Sequence, residues 1–238
     1  MPDAQAATLP TAGLTALRSL AVGGLVLGKR VLVTGATGGV GRFAVQLARV
    51  AGARVSALVR DAAAAGDLLR RLGAREVAEA FDGDYDLIID GVGGTVFGQA
   101  VEHLAAWGIV VNIATGSPDE TVTFRAARFD RSPGARIHTL NLTDELAAHR
   151  PADDLERLAT LVAEGELDGQ VELERPGVTR GRRWMPCCCG RLAARSCCMW
   201  TRAGSGSGRS GPAAPGRRRC RARCPAGWRR RRGSPWSA

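Results

Sequence analysis

The chain has 238 residues, enough for one sizeable domain with an appendage or for two small domains. Its formal net charge of +10 is unevenly distributed: residues 1–177 carry 17 Lys and Arg against all 23 acidic residues, whereas residues 178–238 carry 16 Arg and no acidic residue. All seven cysteines lie beyond residue 186, which excludes a disulfide framework or a cysteine metal site from the first 177 residues. Because there is neither an apolar run long enough for a transmembrane helix nor a secretory signal, we expect a cytoplasmic protein.

From residue 30 to about residue 165, short apolar runs alternate with helical patterns, which is typical of βαβ units around a parallel sheet. The predicted strands, in chain order, are Arg30–Thr34, Arg54–Val59, Glu76–Ala78, Asp86–Asp90, Gly108–Ile113 and Arg136–Leu142. The predicted helices are marked by Val40, Ala44, Leu47, Ala48 and Ala51, by Ala62–Leu72, by Val96, Ala100, Val101 and Leu104, and by Asp153 and Asp154 ahead of Leu155. This order predicts a doubly wound α/β domain of the Rossmann type.

The stretch Val33–Gly41, with the sequence VTGATGGVG, joins the first predicted strand to the first of these helices. Such a turn needs a residue that tolerates unusual backbone angles, bare backbone where a pyrophosphate approaches, and close packing of helix on strand. Gly38, Gly39 and Gly41 can meet these needs, and the helix N-terminus near Val40 offers unpaired N–H groups and partial positive charge. Because the motif follows a strand and precedes an amphipathic helix, it predicts dinucleotide binding.

The residue that closes the second strand indicates which dinucleotide to expect. In this fold it lies about 20 positions after the turn and faces the adenosine ribose, where an acidic residue would hold the 2′-hydroxyl of NAD. Arg60 stands 19 residues after Gly41 and would instead pair with the 2′-phosphate of NADP. The adjacent Asp61 is the alternative ribose ligand if the register differs by one residue. The sequence therefore favours NADP(H).

Residues 9–175 resemble the cofactor domain of the medium-chain dehydrogenases/reductases, in particular the zinc-independent, quinone oxidoreductase-like branch. The similarity is carried by the glycine-rich turn and by Ala12–Ala16 (AGLTA), Leu72–Ala74 (LGA), Asp90–Gly94 (DGVGG), Gly108–Ile113 and Leu155–Leu167. The resemblance implies hydride transfer from NADPH to a small-molecule quinone or activated alkene. The expected cofactor-binding residues are Thr37, Gly38, Gly39, Val40, Arg60, Val92, Ile113, Ala114 and Asn141, the last of them in a strand.

Two other families share the turn. Short-chain dehydrogenases with a Tyr-Lys pair need those two residues one helical turn apart to move a proton. The only Tyr is Tyr85, the only Lys is Lys29, and Ile89 occupies the Lys position, so that mechanism is excluded. The atypical, NmrA-like short-chain proteins fit the G-x-x-G-x-x-G spacing and the run Ala57–Asp61 (ALVRD), and they are the alternative: a sensor that binds NADP without catalysis.

The wider family places a barrel-like domain ahead of this region, where it forms the other wall of the active-site cleft. We expect the chain to hold the cofactor half without that substrate half, which impairs activity, and we assign no catalytic residue. His103 and His138 are interpreted as structural or surface side chains because neither lies near a Cys or a carboxylate pair, and no metal site is indicated. The resemblance also implies a homodimer formed through the sheet edge near Arg136–Leu142.

Composition divides the chain into an entry helix and linker (residues 1–29), the Rossmann-type domain (residues 30–177) and a disordered basic tail (residues 178–238). Taken literally, the tail is a cationic arm that contacts nucleic acid or anionic lipid. A second interpretation is that it is out of frame. Back-translated and read from the third codon base, Trp184–Gly190 gives Asp-Ala, then Leu, Met or Val, then two leucines. Arg183–Trp200 as a whole can give a segment that resembles the end of the quinone oxidoreductase-like chains. We favour this interpretation, which sequencing of the locus tests.

Overall fold

A computed structural model describes residues 1–114, 119–171, 173–176 and 196–199. The main sheet has six strands: β1 (Arg30–Thr34), β2 (Arg54–Leu58), β3 (Glu76–Ala78), β4 (Tyr85–Asp90), β5 (Leu104–Asn112) and β6 (Arg136–Thr139). All neighbours are parallel, and the order is β3-β2-β1-β4-β5-β6. The strand order reverses between β1 and β4, so the predicted doubly wound Rossmann-type fold is confirmed.

Helices cover both faces of this sheet. They are α1 (Asp3–Ala6), α2 (Leu14–Gly23), α3 (Gly39–Val50), α4 (Ala62–Leu72), α5 (Gly94–Glu102), α6 (Ala126–Phe129), α7 (Leu142–Ala148) and α8 (Ala152–Ala163), with a π-helical turn at Leu9–Gly13. Val31 and Val33 of β1 belong to a hydrophobic cluster with residues of α2, α3, α4 and α8, whereas Leu32 packs with residues of α5. Because successive strand side chains point to opposite faces, a strand covered on both sides is apolar throughout.

The amino-terminal segment is part of the same core. Leu9, Leu14, Leu20 and Val26 are buried in one cluster with β1 and α3. Full burial of one such side chain contributes roughly 1.5–3 kcal/mol. Residues 1–29 therefore supply part of the hydrophobic stabilisation of the Rossmann-type sheet.

The strand predicted over Arg136–Leu142 is too long. β6 ends at Thr139, and α7 begins at Leu142. The side-chain carbonyl of Asn141 accepts a hydrogen bond from the Thr143 N–H at 2.9 Å, which makes Asn141 the N-cap of α7 and not a strand residue. An Asn before a short polar helix is a local capping signal that the apolar pattern of the strand concealed.

The third helix and the strand after it also differ from the prediction. α5 ends at Glu102, so that Leu104 opens β5 and is not a helix residue, and β5 begins before Gly108. Trp107 has a left-handed φ of 62°, and the pairing of β4 with β5 shifts between Tyr85 and Leu87. A strand that starts with such an irregularity has no regular alternation to reveal its beginning.

Beyond α8, β7 (Leu173–Pro176) and β8 (Ser196–Met199) pair in parallel as a separate two-stranded sheet. With the exception of β8, residues 178–238 lie outside the described part of the chain. The predictions of a disordered tail and of a frameshift concern these residues and are therefore not tested by the structure. Within the described ranges, no helix has the length and apolar character needed to span a bilayer.

Candidate functional site

The glycine-rich turn is built differently from the expectation. Gly35 takes the unusual backbone angle, with φ at 60°, and its carbonyl accepts the Gly38 N–H at 2.8 Å. α3 then begins at Gly39, with Gly38 as its N-cap. Gly41 provides the close packing, because a Cβ there would overlap the Gly35 carbonyl oxygen and lie 2.7 Å from the Ala36 Cα. The first N–H groups of a helix lack intrahelical acceptors, so the turn presents donors and partial positive charge at the carboxyl edge of the sheet.

A cavity of about 550 Å³ lies beside this turn, at the carboxyl ends of β1, β2 and β4. We call it the turn cavity, and it is lined by Thr34, Gly35, Thr37, Gly38, Leu58, Val59, Arg60, Glu79, Phe81, Gly91, Val92, Val96 and Gln99. Four of the predicted cofactor residues, Thr37, Gly38, Arg60 and Val92, therefore come together here. Arg60 is exposed, and among the described residues no carboxylate forms an ion pair with it.

Sequence reasoning missed Glu79 in the turn cavity. Its carboxylate accepts the Ala62 N–H at 2.8 Å, while the Asp61 carboxylate accepts the Ala64 N–H at 2.9 Å, so both acids cap the start of α4. Asp61, the alternative ribose ligand, is thus engaged in capping. Glu79 follows β3, and its place beside Arg60 results from the parallel pairing of β2 with β3, which the short β3 pattern did not reveal.

A second cavity, of about 530 Å³, lies at the carboxyl ends of β5 and β6. We call it the edge cavity, and it is lined by Thr15, Asn112, Ile113, Ala114, His138, Thr139, Leu140, Asn141, Leu142, Asp144 and Glu145. Ile113, Ala114 and Asn141 are brought together here. The two remaining predicted residues, Gly39 and Val40, occupy the first turn of α3 and line neither cavity.

Between the two cavities, Asp90 ties three neighbouring strands together. Its carboxylate is fully buried and accepts hydrogen bonds from the Thr34 hydroxyl at 2.5 Å, the Gly93 N–H at 3.0 Å and the Asn112 side-chain amide at 3.0 Å. These donors belong to β1, to the loop before α5 and to β5. The sequence showed Asp90 only as part of the DGVGG segment, because its partners lie far away along the chain.

The Asp90→Asn variant is expected to lose about 2–3 kcal/mol of unfolding free energy. The amide nitrogen cannot accept the hydrogen bonds that one carboxylate oxygen now receives, and a lost bond to a buried charged group costs roughly 1.5–3 kcal/mol. Urea unfolding measures the change. Asp86→Asn is the control, since Asp86 lies in the same strand, is only half-buried and accepts a solvent-exposed hydrogen bond from the Arg30 N–H. Equal losses in the two variants contradict the assignment.

The only tyrosine is remote from the candidate site. Tyr85 is 2% exposed and lies at the amino end of β4, with the Arg30 guanidinium 4.9 Å from its ring centroid. Burial raises the pKa of its hydroxyl above 10. A buried phenol at the opposite end of the sheet cannot exchange a proton with a ligand at the carboxyl edge, in agreement with the exclusion of the Tyr-Lys mechanism.

An ion pair between Arg125 and Glu102 anchors the segment that leads into α6. The backbone N–H and the Nε of Arg125 each donate to the Glu102 carboxylate at 2.8 Å, and Glu102, at the end of α5, is only 9% exposed. These hydrogen bonds hold the pKa of the Glu102 carboxyl below its usual value of 4.5, and the same contact raises the pKa of Arg125. The segment before α6 is thereby fixed to α5.

This pair makes a testable contribution to acid stability. Because the pKa of Glu102 is lower in the folded than in the unfolded chain, the pair stabilises the fold above pH 4.5 and loses that effect as the pH falls through the folded-state pKa. Glu102→Gln is expected to unfold more easily at neutral pH and to show a shallower loss of stability below pH 4.5. Thermal unfolding across the acid range measures this, with the exposed Glu156→Gln as control. A pH dependence identical to that of the unaltered chain would disprove the assignment.

Comparison with known proteins gives consistent matches. A family model described as zinc-binding dehydrogenase matches residues 69–175. The chain is 32% identical over 190 residues to the chloroplast envelope quinone oxidoreductase homolog of Arabidopsis thaliana, covering 73% of this chain and 55% of that protein. It is 39% identical over 118 residues to the mitochondrial NAD(P)H oxidoreductase RTN4IP1 of Bos taurus, covering 43% and 29%.

A solved structure agrees with these matches. The nucleotide-binding subdomain of the enoylreductase domain of PpsC from Mycobacterium tuberculosis superposes with a TM-score of 0.55 at 27% identity, covering 67% of this chain and 97% of that one. The chain belongs to the medium-chain dehydrogenase/reductase superfamily. Within it, the chain is a quinone oxidoreductase- and enoyl reductase-like member. It spans about half the length of the Arabidopsis relative and less than a third of the bovine one.

Membership in this superfamily decides between the two resemblances that the glycine-rich turn left open, in favour of the medium-chain family over the NmrA-like proteins. The family model carries the word zinc in its description. In the part of the chain that the structure describes, no three His, Cys, Asp or Glu side chains cluster closely enough to hold a metal ion. No described residue of this chain is therefore assigned to a metal.

Proposed function

We propose that this chain binds NADP(H) along the carboxyl edge of its sheet and supplies the cofactor-binding half of a quinone or enone reductase. The observation that carries the proposal is the position of the turn cavity across the point where the strand order reverses, between β1 and β4, with the edge cavity beyond it at β5 and β6. Ligands of open α/β sheets bind at such a point, outside the carboxyl ends of the strands. The bound coenzyme supplies hydride to a polarised acceptor.

The residues divide between the two halves of the dinucleotide. The adenosine half belongs in the turn cavity, which both Arg60, just beyond the end of β2, and Val92 line. The pyrophosphate belongs at Gly38, Gly39 and Val40, at the start of α3. The nicotinamide half then extends into the edge cavity, past Ile113. Thr37 supports this assignment as a lining residue of the turn cavity, and Ala114 and Asn141 do so as lining residues of the edge cavity.

The preference for NADP(H) over NAD(H) is supported by Arg60. A guanidinium offers a planar fork of donors that matches a phosphate, and Arg60 has no carboxylate partner among the described residues. The negative charge of Glu79, in the same cavity, disfavours a phosphate there. Its carboxylate is, however, engaged by a hydrogen bond from the backbone N–H of Ala62 at the start of α4. The name of the bovine relative, NAD(P)H oxidoreductase, does not distinguish between the two coenzymes.

Titration of the whole purified chain with NADPH and with NADH tests the proposal. We expect NADPH to bind more tightly, as read from quenching of tryptophan fluorescence and from calorimetry. Failure of a folded chain to bind either nucleotide overturns the proposal, and a preference for NADH overturns its NADP(H) part. Oxidation of NADPH on addition of a neutral quinone or enone tests the reductase part separately, since binding without turnover leaves a nucleotide-binding role alone.

We also propose that the chain forms a homodimer through β6, the last strand of the sheet. Within the described residues, no strand pairs with its outer edge, and Ile137 is 46% exposed on it. Unpaired edge strands favour pairing with another chain. Ile137→Lys is expected to shift the chain from dimer to monomer in analytical ultracentrifugation. A monomer before substitution contradicts the proposal.

A cytoplasmic location remains a prediction, since the relatives named above are mitochondrial and chloroplast proteins.

A further inference from the structure

The edge cavity has a distinctive charge. Its ionisable lining side chains are Asp144, Glu145 and His138, and no Lys or Arg is among its lining residues. The Nε2 atom of His138, one of the lining residues, is buried and has no hydrogen-bond partner among the described residues. The cavity is thus polar, with two carboxylates and no permanent positive charge.

The two carboxylates are only weakly neutralised by their surroundings. Glu145 has the Nδ1 of His149 at 3.8 Å, which counts as an ion pair only when that ring is protonated. Asp144 is exposed and has no ion-pair partner among the described residues. Both acids lie in the first turn of α7, where the helix dipole offsets part of their charge. A negative potential therefore remains in the cavity at neutral pH.

This potential acts on the nicotinamide ring, provided that the coenzyme binds as proposed above. The oxidised ring carries one positive charge, whereas the reduced ring is neutral. We infer that Asp144 and Glu145 make the edge cavity discriminate between the two oxidation states of the coenzyme. Their negative charge strengthens binding of the oxidised coenzyme relative to binding of the reduced one. The residues set the coenzyme's redox preference and are not catalytic.

The expected size of the effect follows from Coulomb's law for charges that lie several ångströms apart in a partly solvated site. Two carboxylates at the wall of a cavity several ångströms across, in water-like surroundings, change the affinity for a cation roughly three- to tenfold at low salt. The same charges leave the affinity for the neutral ring almost unchanged. The effect is screened by salt, because the Debye length is about 10 Å at 0.1 M ionic strength.

The test compares dissociation constants for NADP⁺ and NADPH in the whole chain and in the double variant Asp144→Asn, Glu145→Gln, at low salt. A buffer above pH 8 keeps an ordinary imidazole uncharged. The matched control is the double variant Asp153→Asn, Glu156→Gln, which removes the same charge from exposed positions at the start of α8 that line neither cavity. Circular dichroism verifies that all three chains are folded.

We expect the first double variant to bind NADP⁺ roughly three- to tenfold more weakly, with NADPH unchanged, and the control to behave as the unaltered chain. An unchanged ratio of the two dissociation constants, or an equal change in the control, overturns the inference while leaving the proposed function intact. If the unaltered chain binds neither nucleotide, the proposed function and this inference fail together.

Discussion

Gly41→Ala is expected to lower the unfolding free energy by roughly 2–3 kcal/mol. In an open helical position the same substitution would gain up to about 1 kcal/mol from helix propensity. Here the new methyl group would overlap the Gly35 carbonyl oxygen and lie 2.7 Å from the Ala36 Cα, and neither backbone atom can move without opening the turn. The steric cost therefore outweighs the gain, and urea unfolding measures the difference.

Gly39→Ala is the matched control, because it adds the same methyl group two residues earlier in the helix. Its Cβ would lie 3.7 Å from the nearest atom, the Ala12 Cβ, which is an ordinary van der Waals contact. The stability of this variant is expected to be unchanged or slightly raised. Its affinity for NADPH is expected to fall, because the methyl group stands where we propose that the pyrophosphate approaches. Equal stability of the two variants would disprove the packing role of Gly41.

Arg60→Ala is expected to raise the dissociation constant for NADPH roughly ten- to hundredfold and to leave that for NADH unchanged. Hydrogen bonds to a charged group contribute roughly 1.5–3 kcal/mol each, and the 2′-phosphate is the only group that distinguishes the two coenzymes. Isothermal titration calorimetry of both coenzymes with the same preparations gives the ratio directly. The fold is expected to be unaffected, because the side chain of Arg60 is exposed.

The control for this substitution is Arg54→Ala, which removes a second exposed arginine from the amino end of β2, the strand that precedes Arg60. Loss of one positive charge lowers the affinity for any anion through the general field of the protein, and the control measures that contribution. A similar loss in Arg54→Ala, or a parallel loss of NADH binding in Arg60→Ala, would show that Arg60 does not read the 2′-phosphate. Asp61→Ala tests the alternative ribose ligand and is expected to destabilise α4, because it removes the N-cap of that helix.

Local patterns were sufficient for the elements that bury one continuous apolar stretch. β1 and α4 have the predicted bounds, because apolar residues flanked by a capping Asp61 and by a left-handed Gly73 fix both ends of the helix within its own sequence. The prediction for β6 was wrong at its carboxyl end, whereas β5 begins at Leu104 instead of Gly108 and ends at Asn112 instead of Ile113. There the decisive groups, the Asn141 cap and the irregular Trp107, act against the apolar pattern that the prediction followed.

The sequence by itself determined the parallel Rossmann-type sheet, the glycine-rich turn and the candidate role of Arg60, because each rests on residues close together in the chain. Only the tertiary structure decided that Asp90 ties β1 to β5, that Glu79 shares a cavity with Arg60, and that the edge cavity carries two carboxylates. Those contacts join residues on different strands and helices. Their physical cause is the strand order and register of the sheet, which bring the carboxyl ends of distant segments to one edge.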